Sequence, residues 1–463
     1  MARLSNIELK YASPMSAAAM LVLCLSCATA VHAQSLRDAI EGAISGDPTL
    51  RSASINKDVT SENVALARSR LLPQVTLQGT DQKITQTTSQ DTLLGRSDKT
   101  FSGPSKNYQI SIRQALIRPR EVLGLSIAQS QKESGEIKYQ TELADTRVRA
   151  AQAWLDATSS AKAQSIYEKS LEGFIKSASQ EAARFSKGEG TKDGAMEAQA
   201  QLQNARAMLA DARLASEAKR RNFTLVTKIP LKGDLDAQFP QLKETFLNAI
   251  SQDDLWQRIL QTSNDLQAAR AVQDIQKTRL RQSDMDHLPT LDLIASVNQA
   301  QNDATSTQGL RYQNKQIGVQ FTVPIFSGGG LSAAQRQALS VYEASQADRQ
   351  ALEQKIESEF LGVWATQQGL VEKILAAQSA VDASSEQLKA AQKGFSLGLR
   401  TWAELANAQN TLARRQVDQI GAYLSLYKTQ LRILRMLSAD DPFWDQWIEF
   451  VNASALKEPA KVQ

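Results

Sequence analysis

The chain has 463 residues, a net charge of +4 and only 6% aromatic residues. That charge balance is too weak to argue for nucleic acid as a partner. Length alone suggests two or three domains, but an internal repeat argues instead for one body built from two halves.

Residues 1–33 read as a secretory signal. Arg3 and Lys10 lie in a long n-region, Ala17 to Ala30 is a short apolar core, and Val31-His32-Ala33 before Gln34 fits a cleavage site. Cys24 and Cys27 both fall inside it, and neither has the flanks of a lipid-anchor motif. The mature chain then carries no cysteine and one histidine, His287, so its stability must come from packing rather than disulfides. No other run reaches the ~18 apolar residues of a transmembrane helix.

Ser35 to Gly46 reads as a short amphipathic helix with Leu36, Ile40 and Ile44 on one face. Asp47-Pro48 breaks it, and Pro48 suits the first turn of a second helix that ends near Arg70. At Leu72-Pro73 the period changes to alternation. Val75, Leu77 and Gly79 oppose Gln74, Thr76, Gln78 and Thr80, so this is a strand with proline at its start. Asp81 to Lys106, rich in Thr, Ser, Asp and Gly, is expected to be an exposed loop. Tyr108 to Ile117 alternates again. Pro119 opens a helix to about Lys187, and its roughly 67 residues span ~100 Å.

Arg184 to Leu202 then reads as a hairpin tip, with a return helix from Thr191 to about Val226. Ile229 to Thr262 has no counterpart elsewhere, and one or two short helices are expected between Leu242 and Leu260. The second half opens with a helix from Ser263 to His287. Leu288-Pro289-Thr290-Leu291-Asp292-Leu293 then repeats Leu72-Pro73-Gln74-Val75-Thr76-Leu77. Gln299 to Gln316 is expected to be a loop, and Ile317 to Phe326 alternates. Gly328-Gly329-Gly330 turns the chain into a second long helix that ends near Phe395. The following tip overlays on the first at an offset of 210, with Phe185 on Phe395, Gly188 on Gly398 and Thr191 on Thr401. Thr401 with Glu404 three residues on is a capping box. The last long helix places Val417, Ile420, Leu424, Tyr427, Leu431 and Leu434 at heptad spacing. Phe443, Trp444, Trp447 and Phe450 mark a short terminal helix with an aromatic face. The expected organisation is a first repeat over 34–228, an insertion over 229–262, a second repeat over 263–438 and a tail over 439–463.

The fold class is mainly α with a small β part. Long helical hairpins are joined to four amphipathic strands of ~10 residues, a length suited to a membrane barrel with a wet interior. Four strands are too few to close a barrel, and an open sheet edge cannot sit in lipid. The chain is therefore expected to borrow strands from copies of itself under cyclic symmetry.

Asp47-Pro48-Thr49-Leu50, Leu71-Leu72-Pro73-Gln74, His287 to Leu293, Val323-Pro324-Ile325-Phe326 and both tips resemble the TolC family of outer-membrane channel proteins over essentially the whole mature chain. The resemblance implies a homotrimer in outer-membrane lipid, with a twelve-stranded barrel that continues into a twelve-helix periplasmic tunnel. It implies efflux or type I secretion in concert with an inner-membrane transporter and a periplasmic adaptor (a membrane fusion protein), without a cofactor. In the family an Arg and an aromatic of the second tip bond a Thr-Asp pair of the first and hold the tunnel shut. Arg400 and Phe395 match the former. Asp193 stands at the Thr position and Gly194 at the Asp position, so the expected latch is Arg400 with Asp193, shifted by one residue. Two acidic rings lie inside the family's entrance. Glu404 matches the first, and Asn407 matches the second without a charge.

The plainer readings are that Glu404 only caps its helix, that Arg400 is a solvated charge, and that His287 is a satisfied structural residue. Gly328 to Gly330 lacks the Lys-Ser/Thr of a phosphate loop. No nucleophile–base pair or metal cluster stands out, so no enzymatic activity is expected. The alternative function is a periplasmic coiled-coil adaptor or scaffold, which has no need of the four strands.

Overall fold

The computed structural model describes residues 35–93, 95–230, 250–302 and 310–455. The expected signal and part of the insertion, including the short helix expected from Leu242, lie outside the described residues. In chain order the elements are α1 (Leu36–Gly46), α2 (Pro48–Ser69), β1 (Gln74–Thr92), β2 (Gly95–Ile117), α3 (Pro119–Ser186) and α4 (Lys192–Thr227). There follow α5 (Gln252–Thr262), α6 (Asn264–Met285), β3 (Thr290–Asn302), β4 (Leu310–Thr322), α7 (Gly330–Ser396), α8 (Trp402–Met436) and α9 (Phe443–Ala455).

Local chemistry sets the helix ends. Ser35 and Asp38 form a capping box on α1. Asp47 caps α2, accepting from the Thr49 amide at 2.8 Å, with Pro48 in the first turn. The same carboxylate accepts from Arg149 of α3 at 2.6 Å, so this cap also docks the first two helices on the long one. Burial by itself would raise its pKa. The bonds from Arg149 and Thr49 outweigh that and hold it at about 2.

The four strands form one antiparallel sheet in the order β1-β2-β3-β4. The two stretches expected as loops are ladder instead. β1 runs 19 residues and β2 runs 23, pairing from Gln74 with Arg113 out to Thr92 with Gly95. β3 and β4 run 13 residues each, with 303–309 outside the described residues. Alternation fades past Thr80 because residues on both faces of this ribbon are mostly polar. Its pairing is supported by hydroxyl pairs such as Thr85 with Ser102 and Thr87 with Thr100, both at 2.9 Å.

Register assigns the faces. Val75, Ile112, Ala295 and Ile317 share one rung, and Leu77, Ile110 and Val297 share the next on the same face. The large residues among them are exposed, Leu77 at 75% and Ile317 at 78%. The opposite face carries Thr76, Ser111, Ser296 and Gln316, then Gln78, Gln109, Asn298 and Asn314. All four junctions with helices lie at one end of the sheet. There Asp292, almost buried, accepts from Arg118 Nε at 2.8 Å, and Arg113 approaches it at 3.9 Å. Among the described residues no helix is long and apolar enough to cross a membrane.

The 68 residues of α3 span ~100 Å. It pairs with α4, as α7 pairs with α8, and one core joins the hairpins midway. Trp154, Tyr427, Trp444, Trp447 and Phe360 are fully or almost fully buried there. The tail packs as its aromatic face predicted, and Trp447 Nε1 donates to Gln430 at 2.8 Å. α5 adds a Trp256 ring stacked on Phe360 at 5.6 Å. On α8 the narrow heptad stripe widens. Ile420, Tyr427, Leu431 and Leu434 are buried, but so are Tyr423, Leu426, Gln430 and Ile433. The helix packs against α3 as well as α7, so two faces need apolar cover.

Candidate functional site at the hairpin tips

Both tips close with the same backbone device. Gly188 and Gly398 take φ of 77° and 74°, the left-handed region that glycine fills without strain. Glu189 N donates to Arg184 O at 2.9 Å, and Leu399 N donates to Gly394 O at 2.8 Å. These pairs are again 210 residues apart. Thr191 and Thr401 then cap the return helices through the amides of Gly194 and Glu404.

Glu404 forms the full capping box. Its Oε2 accepts from the Thr401 amide at 2.8 Å and from the Thr401 hydroxyl at 3.1 Å. These bonds, with the Arg400 charge nearby, lower its pKa. It is exposed and ionised, and Asn407 is exposed further along the helix.

Within the protomer Arg400 does not pair with Asp193. Both are exposed. The Arg400 stem folds back across its own turn, so that a Cβ added at Gly394 would lie 2.8 Å from Arg400 Cγ. A contact that joins the tips pairs Phe395, expected at the gate, with Arg184, which was not. Arg184, near the end of α3, sets its guanidinium carbon 5.5 Å from the centre of the Phe395 ring, near the end of α7. Glu181, only 6% exposed, pairs with Arg184 at 3.5 Å. Position 194 is tight as well, since a Cβ there would lie 3.1 Å from Glu181 Oε1 and 3.2 Å from Thr191 Oγ1. The signal was present in the spacing, because Glu181 and Arg184 are an i,i+3 pair at a helix end. Their partner ring lies more than 200 residues away, where spacing says nothing.

Phe395 packs with Phe174, Leu202 and Trp402, the core of the tip region. Beside it runs a cleft of about 700 Å³, lined by Lys176, Gln180 and Arg184 on one wall and Gln392, Phe395 and Gln409 on the other.

Residues 39–226 and 255–439 match the model of the outer membrane efflux protein family. The chain belongs to the outer membrane efflux protein family. It is similar to a protease secretion protein of Dickeya chrysanthemi, PrtF, at 24% identity over 86% of this chain and 87% of that one. It is similar to the outer membrane protein TolC of Escherichia coli K12 at 24% identity over 87% and 82% of the two chains. In fold it matches the Campylobacter jejuni outer membrane channel CmeC, with a TM-score of 0.72 at 14% identity over 90% and 89%. For an outer membrane efflux protein the four strands are the expected membrane part, and the adaptor or scaffold reading is set aside.

Proposed function

We propose that this outer membrane efflux protein is the exit duct of a tripartite efflux or type I secretion system. Its copies pass substrate from an inner-membrane transporter and a periplasmic adaptor to the outside. The observation that carries the reading is the open four-stranded sheet, apolar on one face and polar on the other, continuous with ~100 Å helical hairpins. Such a sheet is stable in lipid only when its edge strands, β1 and β4, are paired. Three copies closing edge to edge supply a twelve-stranded barrel with a polar lumen. The protein secretion relative and the resemblance to TolC support the same assembly.

The hairpin tips form the periplasmic gate. Glu404 supplies one carboxylate per protomer to a cation-selective ring, and Asn407 lies on the same helix without adding charge. Arg184 on Phe395 ties the tips within a protomer. Arg400 and Asp193, without an ion pair among the described residues of one protomer, are available to meet between protomers.

The test is assembly and conduction. The full chain should fractionate with outer membranes and migrate as a heat-modifiable trimer. In planar bilayers it should form discrete ion-conducting pores. A soluble, monomeric, non-conducting product overturns the duct.

A further inference from the structure

The outward face of the sheet changes chemistry at one level. Phe321, Val319, Ile317 and Lys315 follow one another on β4 at every second position, so three apolar residues end at a cation. Lys315 shares its rung with Val297, Ile110 and Leu77. Two rungs further from the helices, Arg311, Gln301, Lys106 and Asp81 stand together on the same face. Tyr108 fills the rung between, its ring 3.2 Å from where a Cβ on Gly79 would be. Lys106 is paired with Asp81 at 3.1 Å. Lys315 and Arg311 have no ion pair among the described residues. Four residues apart on one strand, they stand ~13 Å from each other.

Just below Lys315 the apolar surface is dented. Ala295 offers only a methyl group where its neighbours are larger, and Ile110, Ile112, Val297 and Ile317 wall a groove of about 210 Å³. The groove lies over β2, β3 and β4, and β4, which carries both cations, is an edge strand that meets β1 of the next copy in the duct. An apolar groove that ends at Lys315, with Arg311 two rungs beyond it and neither cation ion-paired within the protomer, fits neither a plain hydrocarbon surface nor a soluble anion. It matches an acyl chain joined to a phosphorylated headgroup, with the cations at headgroup depth.

We propose that this face of β2, β3 and β4 is a binding site for a phosphorylated, multiply acylated glycolipid of the outer leaflet. One acyl chain lies over Ala295, and Lys315 and Arg311 meet two phosphates. The leaflet follows from polarity, since the cations lie toward the hairpin end of the sheet, away from every helix junction. The site rests on the outer-membrane duct reading above. Two phosphates at opposite ends of a disaccharide headgroup suit two cations this far apart, and each Lys or Arg near a charged membrane surface strengthens binding severalfold.

The test uses the full assembled protein in detergent and native mass spectrometry. The added probes are diphosphorylated lipid A, its dephosphorylated form and cardiolipin. Wild type should retain the diphosphorylated lipid in preference to both others. Lys315→Gln with Arg311→Gln should lower its retention about tenfold, and Ala295→Leu should lower it by filling the groove. Equal retention of the dephosphorylated form, displacement by equimolar cardiolipin, or unchanged retention in the double variant overturns the site. Should the variants fail to assemble, the comparison of the three lipids on wild type decides. Pore conductance is recorded on the same preparation. A wild type that retains the lipid but does not conduct counts against the duct and leaves the site standing.

Discussion

Arg184 of the first hairpin lies over the ring of Phe395 in the second, 5.5 Å from guanidinium carbon to ring centre. Glu181, nearly buried, also approaches the guanidinium at 3.5 Å, so the charge has two partners. A gate that opens by separating the hairpins must break this contact. One such pair contributes about 1 kcal/mol where it is partly exposed. Arg184→Ala or Phe395→Ala is therefore expected to raise single-channel conductance and the frequency of open events. Conductance identical to wild type in both variants would show that the tips separate elsewhere.

The glycine at 194 gives a second test of that contact. An aspartate there would place its Cβ 3.1 Å from Glu181 Oε1 and set two carboxylates side by side. Gly194→Asp should loosen the tip and increase its cleavage by added protease. Glu181→Gln in the same chain should restore much of the protection. If the double variant is no better protected than Gly194→Asp alone, Glu181 is not the residue that excludes a side chain.

Glu404 carries the expected selectivity. It is exposed and ionised, and its pKa is lowered by its bonds to Thr401. Cation preference should therefore persist down to pH values below the ordinary glutamate range and then fade as the carboxylate takes up a proton. Glu404→Ala should abolish the preference and the block by trivalent cations while trimer yield stays nearly unchanged. Reversal potentials under a salt gradient decide it. Selectivity that survives in Glu404→Ala moves the constriction to another ring, with Asp193 and Glu197 of the first tip next in line.

The two faces of the sheet should respond oppositely to charge. Lys at Val75 or Ile112 is expected to cost ~2–4 kcal/mol near the bilayer midplane, whereas Lys at Thr76 or Gln78 should cost little. Assembly in the outer membrane, scored as heat-modifiable trimer, is the readout. Equal tolerance on both faces removes the barrel assignment.

Asp47 predicts an acid limb of stability. Its folded pKa of about 2 lies below the ordinary aspartate value of 3.8, so its contribution is complete above pH 3.8 and is lost as pH falls toward 2. The shift corresponds to ~2 kcal/mol. Asp47→Asn should lower the melting temperature at pH 7 and flatten the loss between pH 4 and 2. Parallel melting curves for both proteins across that range would disprove the assignment.

Much of the fold was legible locally. The Thr401 capping box, the two glycine tips, the long helices and the aromatic tail depend on residues within a few positions of one another, and all appear where the sequence places them. The alternation at Val75 to Gly79 was legible for the same reason. The ribbon beyond Thr80 was not, because its residues are mostly polar on both faces and leave no apolar alternation to read. Its pairing depends on cross-strand neighbours that only the register supplies. The width of burial on α8 was set by α3, a helix more than 200 positions away in the chain.

At the tips the division is sharper. The sequence by itself determined that the site has Glu404 in a capping box, Arg400 and Phe395 beside the second turn, and a glycine at 194. Only the tertiary structure decided that Phe395 takes Arg184 as its cation and that Glu181 comes to lie against position 194. A helix specifies the direction of its side chains to within a rotamer, whereas the partner each one meets depends on how two ~100 Å hairpins align along their length. An offset of one residue there exchanges one charged partner for another, and no local pattern records it.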